Sequence, residues 1–161
     1  MTESNDVKFI RLAYTLALTS DDPITQNGAV VAYGVGLLTG GVNAFPKGVK
    51  SSVERWESPA KYQYVEHAER NVIYSAARQG IATRGLTMYC PWFACPDCAR
   101  AIIQSGISEV VGHVVPERGA TKWDDGIKVA YQMFDEAGVK YRHVECKIGV
   151  RVRLNGRLIE V

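Results

Sequence analysis

The stretch EVVGHVVPERGATKWDDGIKVAYQMFDEAGVKYRHV, residues 109–144, decides the fold class. It begins and ends with short apolar runs typical of β-strands, and residues 123–137 between them have a helical pattern that Gly138 closes. Because a helix bridges the two strands, we expect them to run parallel through a right-handed crossover. The stretch therefore predicts an α/β fold.

The rest of the chain predicts further elements on both sides of this unit. Upstream, residues 43–64 have the composition of a long loop, and such loops are often functional. Downstream, the tail GVRVRLNGRLIEV alternates around Asn155-Gly156, which is typical of a type I′ hairpin. The remaining predicted elements are an amphipathic helix over 6–19, a β-hairpin over 28–42, a helix from His67 to Gly80, a strand over 86–90 and a helix over 95–105.

Size and composition limit the possible functions. The 161 residues and 47% hydrophobic content indicate one globular domain spanning 1–161. No apolar run approaches the roughly 18 residues of a membrane span, and residues 1–9 lack a secretory pattern, so we expect a cytoplasmic protein with no membrane partner. A dispersed net charge of +2 argues against nucleic acid but is compatible with a small phosphorylated ligand.

Two cysteines three positions apart, in the segment CPDC, indicate either a redox pair or part of a metal site. Cys95 and Cys98 would lie in the first turn of a helix, where both sulfurs can reach one point. His67, at the start of the preceding helix, completes the three-ligand set of a catalytic zinc with an open fourth position. The sequence therefore predicts a Zn²⁺ site.

Glu69 follows His67 by two residues and is predicted to carry protons rather than to bind the metal. Two thiolates cancel the charge of zinc, so this metal acidifies its water less than an all-histidine zinc does, and a base is needed. A carboxylate that takes this proton and returns it to a ring nitrogen and a leaving amine performs hydrolytic deamination. An H-x-E segment with a C-x-x-C segment is typical of zinc nucleobase deaminases.

Other interpretations of these residues stay open at this point. Cys90 could join the three ligands in a closed structural zinc, although Glu69 would then be unexplained. The cysteine pair could be a redox pair, but it does not lie in the setting of a thioredoxin. We interpret Cys90 otherwise as a small buried hydrophobe, and His113, His143 and Cys146 as packing or surface residues.

The chain resembles the deoxycytidylate deaminases of the zinc-dependent cytidine deaminase superfamily, from about residue 9 to 111. The likeness rests on HAERN and CPDCARAIIQSGI, and on the segments SDDPITQNGA, GGVNAFPKG and KYQYVEHAE. The long span between Asn43 and His67 is also similar to this family, whereas tRNA adenosine deaminases have a shorter one. The resemblance implies a three-layer α/β/α fold of the cytidine deaminase type, with a mixed central sheet of about five strands.

The resemblance also implies roles for individual residues. His67, Cys95 and Cys98 match the zinc ligands, and Glu69 matches the proton shuttle. Asn43 matches an asparagine that holds the deoxyribose hydroxyl, and Arg78 resembles an arginine that reaches a substrate phosphate across a subunit contact. The other substrate-binding residues implied are Gln26, Ala68 through its backbone N–H, and the aromatic residues Trp92 and Phe93, with Trp123 as an alternative for stacking on the base.

Regulation is implied in the same way. The family is often a homohexamer that dCTP activates and that dTTP with Mg²⁺ inhibits, through a G-Y-N-G-x-P-x-G motif. Here the motif is GVNAFPKG, so the allosteric nucleotide would contact Ala44, Phe45, Pro46, Lys47 and Gly48. Val42, Ala44 and Lys47 depart from the motif, which affects the expected effector control more than catalysis. Near the site, Asn27, Pro91 and Ala94 also replace usual residues.

The leading hypothesis is therefore an allosteric dCMP aminohydrolase, which forms dUMP and ammonia for thymidylate synthesis. Two rivals are a deaminase of a free nucleoside or of a base within RNA, and a catalytically silent zinc module that binds nucleotides. The long 43–67 span argues against RNA, and the helix between the last two strands argues against the free-nucleoside type. Glu69 argues against a silent module, since binding alone does not require that carboxylate.

Overall fold

The computed structural model describes residues 3–161, with every side chain in that range except that of Glu117. Its central sheet has five strands in the order β2-β1-β3-β4-β5. The two strands that enclose the stretch 109–144 pair in parallel, and so do the strands on either side of residues 90–108. The first three strands in the sheet order pair antiparallel. The predicted mixed sheet is confirmed.

Helices and strands alternate one by one in the middle of the chain, over residues 68–144. They are α1 (Asn5–Ala17), β1 (Gly28–Tyr33), β2 (Gly36–Val42), α2 (Val53–Trp56), α3 (Lys61–Tyr64), α4 (Ala68–Gln79), β3 (Thr87–Tyr89), α5 (Pro96–Gln104), β4 (Glu109–His113), α6 (Asp124–Ala137), β5 (Lys140–Val144), β6 (Arg151–Leu154) and β7 (Arg157–Glu160).

Alternation along β1 places neighbouring side chains on opposite faces of the sheet. Val31 packs in a core with residues of α4, α5 and α6, whereas Val30 packs in a second core with α1 and the β6–β7 hairpin. Both valines are fully buried. The sheet is therefore covered on both faces, which confirms the three-layer arrangement.

The region 43–64 is not the continuous loop that the sequence suggests. It contains α2 and α3, each of four residues. Helices this short are below the length at which apolar periodicity can be read. The Phe45 ring stacks on the Trp56 ring with centroids 4.2 Å apart, which ties the start of the region to α2.

The backbone of α4 lies directly on β2 at Gly41. A Cβ atom at this position would lie 2.5 Å from the backbone nitrogen of Val72 and 3.0 Å from the carbonyl oxygen of Ala68. Since real Cβ contacts of this kind require the backbone to move, only glycine lets the helix approach the strand this closely. Gly41 thus sets the depth at which the first turn of α4 sits.

The C-terminal hairpin is confirmed, with Leu154 paired to Arg157 across the turn. Asn155 and Gly156 have φ values of 51° and 77°, as a type I′ turn requires at both central positions. Among the described residues, no helix combines the length and apolar character that crossing a bilayer would need.

Candidate active site

Two helix starts bring three metal-binding side chains together. His67 is the N-cap residue of α4, Cys95 is the N-cap residue of α5, and Cys98 lies in the first turn of α5. Their ligand atoms all lie within 4.8 Å of one another. Nδ1 of His67 is 3.6 Å from Sγ of Cys95 and 3.6 Å from Sγ of Cys98.

These spacings fit a zinc ion. Ligand bonds of about 2.3 Å to sulfur and about 2.0–2.1 Å to nitrogen at tetrahedral angles place nitrogen and sulfur about 3.6 Å apart. One histidine and two cysteines also form a donor set that zinc prefers, and three protein ligands leave a fourth position for water or substrate. His67, Cys95 and Cys98 therefore form a catalytic type of Zn²⁺ site through Nδ1 and the two sulfurs.

The protonation of the three ligands is coupled. The hydrogen bonds from Cys98 and His67 lower the pKa of Cys95 to about 4, in spite of its burial. The shared hydrogen bond with Cys95 and burial raise the pKa of Cys98 well above its usual value. The pKa of His67 is raised, because its hydrogen bond to Cys95 and the charge of Glu69 outweigh the effect of burial. The cluster therefore holds protons that a metal ion would displace.

Arg70 supports the cluster from one turn along α4. Its Nη1 lies 3.6 Å from Sγ of Cys98, and its Nε pairs with the Glu66 carboxylate. A guanidinium held against a sulfur favours the thiolate form that a metal requires. Glu66 thus fixes a group that stabilises the charge of a ligand.

Glu69 is 2% exposed and lies on the first turn of α4. Burial raises the pKa of its carboxyl, against the opposing charge of His67. The Nδ2 group of Asn27 lies 3.5 Å from Oε2 of Glu69 and 3.4 Å from Sγ of Cys90. A carboxyl with a raised pKa accepts a proton more readily than an exposed glutamate does, which suits acid–base catalysis.

Cys90 is separate from the ligand cluster. Within the part of the chain that the structure describes, only His67, Cys95 and Cys98 gather as possible metal ligands. The Cys90 thiol is buried and donates to the carbonyl oxygen of Trp92 at 3.1 Å. The alternative of a four-ligand structural zinc through Cys90 is therefore wrong.

Asn43 is held by a buried network beside the cluster. Its Oδ1 accepts the backbone N–H of Ala68 at 3.0 Å, and its Nδ2 donates to the Thr25 carbonyl oxygen at 3.0 Å. Nδ2 also lies 3.4 Å from Asp22, which pairs with Lys61 at 2.8 Å. The buried pair Asp22–Lys61 was not predicted, since its members lie 39 residues apart in the sequence and no local pattern connects them.

Two of the three ligands, His67 and Cys95, line a cavity of about 250 Å³, and the third, Cys98, is fully buried. Of the predicted site residues, the cavity wall includes Asn43, His67, Glu69, Trp92, Phe93 and Cys95. Trp123, the predicted alternative for stacking on the base, also lines the cavity. The residues that complete the wall were not predicted to bind the substrate, and they are Asp22, Ile24, Thr25, Asn27, Lys61, Tyr62, Arg118, Thr121, Lys122, Ile127, Leu154 and Asn155.

Three predicted substrate-binding residues lie outside the cavity wall. Oε1 of Gln26 accepts the backbone N–H of Arg153 at 3.0 Å, so this side chain joins the C-terminal hairpin to the segment before β1. Ala68 is fully buried, with its N–H donated to Asn43. Arg78 is exposed near the end of α4. Their substrate contacts stay predictions.

The wall has four aromatic residues, and the sequence suggested three of them, Trp92, Phe93 and Trp123, as contacts for the base. The Trp123 ring meets the His67 ring edge-on, with centroids 5.9 Å apart and an interplanar angle of 84°. Nε1 of Trp92 donates to the Gln26 carbonyl oxygen at 3.0 Å. The Phe93 ring packs against Tyr131 with centroids 4.4 Å apart. A flat heterocycle in this cavity would have aromatic rings among its neighbours.

The segment 44–48 lies next to the cluster along the chain. Ala44 and Glu66 exchange both backbone hydrogen bonds, at 3.1 and 2.9 Å, and Glu66 directly precedes His67. Phe45 is packed on Trp56, whereas Pro46, Lys47 and Gly48 are exposed. A ligand on this exposed turn would contact a segment bonded to the start of α4.

The fold and the three-ligand cluster together define a zinc-dependent deaminase of α/β architecture. The family profile described as "Cytidine and deoxycytidylate deaminase zinc-binding region" matches residues 3–114, and the chain belongs to this family. It is 36% identical over 133 residues to an "Uncharacterized deaminase in luxG 3'region" of Aliivibrio fischeri, covering 83% of this chain and 88% of that protein. It is 34% identical over 143 residues to the human deoxycytidylate deaminase, covering 83% of this chain and 76% of the human protein.

Solved structures agree on the fold. The dCMP deaminase of cyanophage S-TIM5, in complex with dCMP and dUMP, has a TM-score of 0.71 and 24% identity over 89% of this chain and 99% of its own. At this identity the likeness bears on the fold. It confirms the cytidine deaminase type of architecture that the sequence predicted.

Proposed function

We propose that this protein is a dCMP deaminase, which hydrolyses dCMP to dUMP and ammonia and so supplies the substrate of thymidylate synthesis. The observation that carries the proposal is the buried Glu69 carboxyl in the same cavity wall as His67 and Cys95, which form a metal-binding cluster with Cys98. The human deoxycytidylate deaminase, similar over most of the chain, supports this choice of substrate.

The reaction replaces an amine on the pyrimidine ring by the oxygen of water. His67, Cys95 and Cys98 would hold the zinc ion, which would supply Lewis acidity and lower the pKa of a water molecule. Glu69 would accept a proton from the water that attacks the ring carbon and would deliver it to the ring nitrogen. It then carries the second proton to the departing amine, so that ammonia leaves and the ring carbonyl forms.

Burial of Glu69 suits both halves of this cycle. Its raised pKa makes the carboxyl a better proton acceptor than an exposed glutamate, and the Asn27 amide lies beside one of its oxygens. Asn43 is fixed by Ala68, Thr25 and Asp22, so it would present a rigid amide to the deoxyribose. The base would pack against Trp92, Phe93 or Trp123, with the Ala68 N–H and Gln26 nearby.

Regulation is a further part of the proposal. dCTP and dTTP with Mg²⁺ would bind at residues 44–48 of a homohexamer, and Arg78 of a neighbouring subunit would contribute to the phosphate contact. The double backbone bond between Ala44 and Glu66 supports a route from that turn to His67. The exposure of Arg78 is compatible with a role at a contact between chains.

Ammonia release from dCMP, dCTP, CMP and deoxycytidine, assayed side by side on zinc-loaded protein, tests this function. We expect dCMP to have the highest kcat/KM, and repeating the dCMP assay with dCTP and dTTP tests the regulation. A preference for deoxycytidine would identify a nucleoside deaminase. Zinc binding with no release from any of the four compounds would contradict the proposed activity.

A further inference from the structure

We propose that Arg118 and Lys122, on the segment between β4 and α6, bind the 5′-phosphate of the substrate within the same chain. This inference rests on the proposed function, because it assigns the phosphate of a nucleoside monophosphate to a place in the same cavity. It gives the chain a phosphate contact that does not depend on a neighbouring subunit.

Both cations belong to the wall of the cavity that contains the zinc ligands. The Lys122 ammonium lies 5.1 Å from the centroid of the Trp123 ring, and this ring lies 5.9 Å from the ring of His67. One aromatic ring therefore separates the ammonium from the metal-binding histidine. A ligand with an amine at one end and an anion at the other could reach both places.

Arg118 is held in position by the residues that begin α6. Its Nη2 donates to Oγ1 of Thr121 at 3.1 Å and to the carboxylate of Asp124. The N–H and hydroxyl of Thr121 donate to the same carboxylate at 3.0 and 2.9 Å. These bonds from Thr121 and Arg118 lower the pKa of Asp124 to about 2, so it stays an acceptor at neutral pH.

The network leaves part of the guanidinium available. Among the described residues, no hydrogen bond uses Nε or Nη1 of Arg118, and the side chain is 29% exposed. A guanidinium fixed along one edge loses little side-chain entropy when another edge binds an anion. Arginine binds phosphate through parallel N–H groups, which gives both strength and orientation.

The charges along the cavity wall leave two cations for an anionic ligand. Lys61 and Asp22 neutralise each other in a buried pair that also lines the cavity. Arg118 and Lys122 are the other lysine and arginine side chains of the wall, and Asp124, which partly balances Arg118, is not among the lining residues. Within the described residues, neither cation is paired with a carboxylate of the cavity wall, so both can attract the phosphate of a ligand in the cavity.

Nothing in the family match assigns these two residues, because the matched region ends at residue 114. Within the chain itself, Arg78 does not line the cavity, so it could contribute only from another subunit. The two arginines therefore give different predictions for the same phosphate, and they can be tested against each other.

The experiment measures kcat/KM for dCMP and for deoxycytidine on zinc-loaded wild type, Arg118→Gln, Lys122→Gln and Arg78→Gln. Lys128→Gln is the matched control, since Lys128 lies on α6 with a side chain that is 74% exposed and outside the cavity wall. We expect Arg118→Gln to lower kcat/KM for dCMP by roughly 10- to 100-fold, as for a lost charge-assisted hydrogen bond, with little change for deoxycytidine. Lys122→Gln should have a smaller effect of the same selectivity.

Lys122→Gln also keeps the test valid if Arg118→Gln disturbs the start of α6. The Lys122 ammonium bonds to the Tyr62 hydroxyl and lies over the rings of Tyr62 and Trp123, and among the described residues it makes no hydrogen bond to the network of Arg118, Thr121 and Asp124. Equal losses for the two substrates in both variants would overturn the inference. A dCMP-selective loss in Arg78→Gln alone would also overturn it, in favour of a contact from a neighbouring subunit.

A binding measurement separates this inference from the proposed function. Calorimetry with inorganic phosphate on zinc-loaded wild type should show weak binding that Arg118→Gln abolishes. If the protein deaminates none of the cytosine compounds but still binds phosphate through Arg118, the function fails and the phosphate site stands. If dCMP is deaminated and phosphate binding is the same in Arg118→Gln, the function stands and the inference fails.

Discussion

The cavity has two regions of different origin. The ligand cluster of His67, Cys95 and Cys98, together with Glu69, comes from the starts of two helices and spans 32 residues of sequence. The rim, which is Arg118, Lys122 and Asn155, comes from the segment before α6 and from the turn between β6 and β7. Glu69 and the two cysteines are buried and His67 is half-buried, whereas Arg118 is half-buried and Lys122 and Asn155 are exposed.

This difference separates reaction from selection. Helix starts converge in fixed geometry because the sheet positions them, so the chemistry of the cluster depends on few residues. The rim depends on segments whose sequences have no pattern in common, and it can change without disturbing the metal ligands. We therefore expect changes in the cluster to affect kcat, and changes at the rim to affect selectivity and KM.

The largest expected effect is that of Glu69→Gln, which tests whether the cluster alone carries the chemistry. We expect kcat to fall by at least roughly 10² to 10⁴, the range for removing a positioned acid–base group, while zinc content stays the same. Steady-state kinetics and metal analysis check this, with the exposed Glu136→Gln as control. Near-normal turnover in Glu69→Gln would place the proton path elsewhere.

Lys61→Met tests the buried ion pair of Asp22 and Lys61, which lines the cavity together with the cluster and the rim. Because Asp22 would keep a buried charge without its partner, we expect the free energy of unfolding to fall by about 3–5 kcal/mol. Urea denaturation measures this loss. The control Lys128→Met breaks a pair whose side chains are 74% and 96% exposed, and it should cost less than about 1 kcal/mol. Equal losses in the two variants would show that burial of the pair is unimportant.

Asn155→Gly tests whether a rim residue affects substrate binding without affecting the chemical step. Asn155 has a φ of 51°, which glycine adopts without strain, so the turn should persist while the side-chain amide is removed. We expect KM for dCMP to rise by about 2- to 10-fold, as for one neutral hydrogen bond, with kcat unchanged. The exposed Leu158→Ala on the same hairpin is the control. A fall in kcat with constant KM would break the division between cluster and rim.

The smallest expected effect concerns pH and a site away from both regions. Burial lowers the pKa of His113, whose Nδ1 pairs with the Tyr14 hydroxyl and whose Nε2 pairs with the Cys146 carbonyl oxygen. The unfolded chain then binds this proton at a higher pH than the folded chain does. The stabilisation that depends on neutral His113 should therefore be complete above about pH 6.5, and it should decrease as the pH falls toward the lowered pKa.

The comparison of wild type and His113→Gln isolates this contribution. Urea denaturation at several pH values between 5 and 8 should show a flatter dependence in the variant, with the zinc ligands common to both proteins. The same slope in both proteins would show that His113 does not contribute. The neutral form is consistent with a structural role for His113, as the sequence suggested.

The sequence predicts the cluster well because its residues belong to two short motifs at helix starts. The spacing of Cys95 and Cys98 determines their geometry, and only the convergence with His67 requires the fold. The mixed sheet could be predicted for a similar reason, since the helix between β4 and β5 leaves little choice of strand direction.

The rim and its supports could not be predicted in this way. Asp22 and Lys61 meet only after folding, and Arg118 depends on a capping network around Thr121 and Asp124 that has no clear signature in the sequence. Gln26, in contrast, was predicted to bind the substrate because it lies in a segment similar to the family. Its side chain bonds to the C-terminal hairpin, which lies beyond the matched region.

Gly41 has a consequence for how inherited variation in this protein should be interpreted. Glycine to alanine is among the mildest exchanges in most scoring schemes, and position 41 is neither charged nor part of the zinc motif. Yet the added methyl would meet the backbone of α4 and not a side chain that can rotate away. The helix that begins beside His67 would have to shift, so a variant classed as benign by residue type would act as a loss of function at a distance.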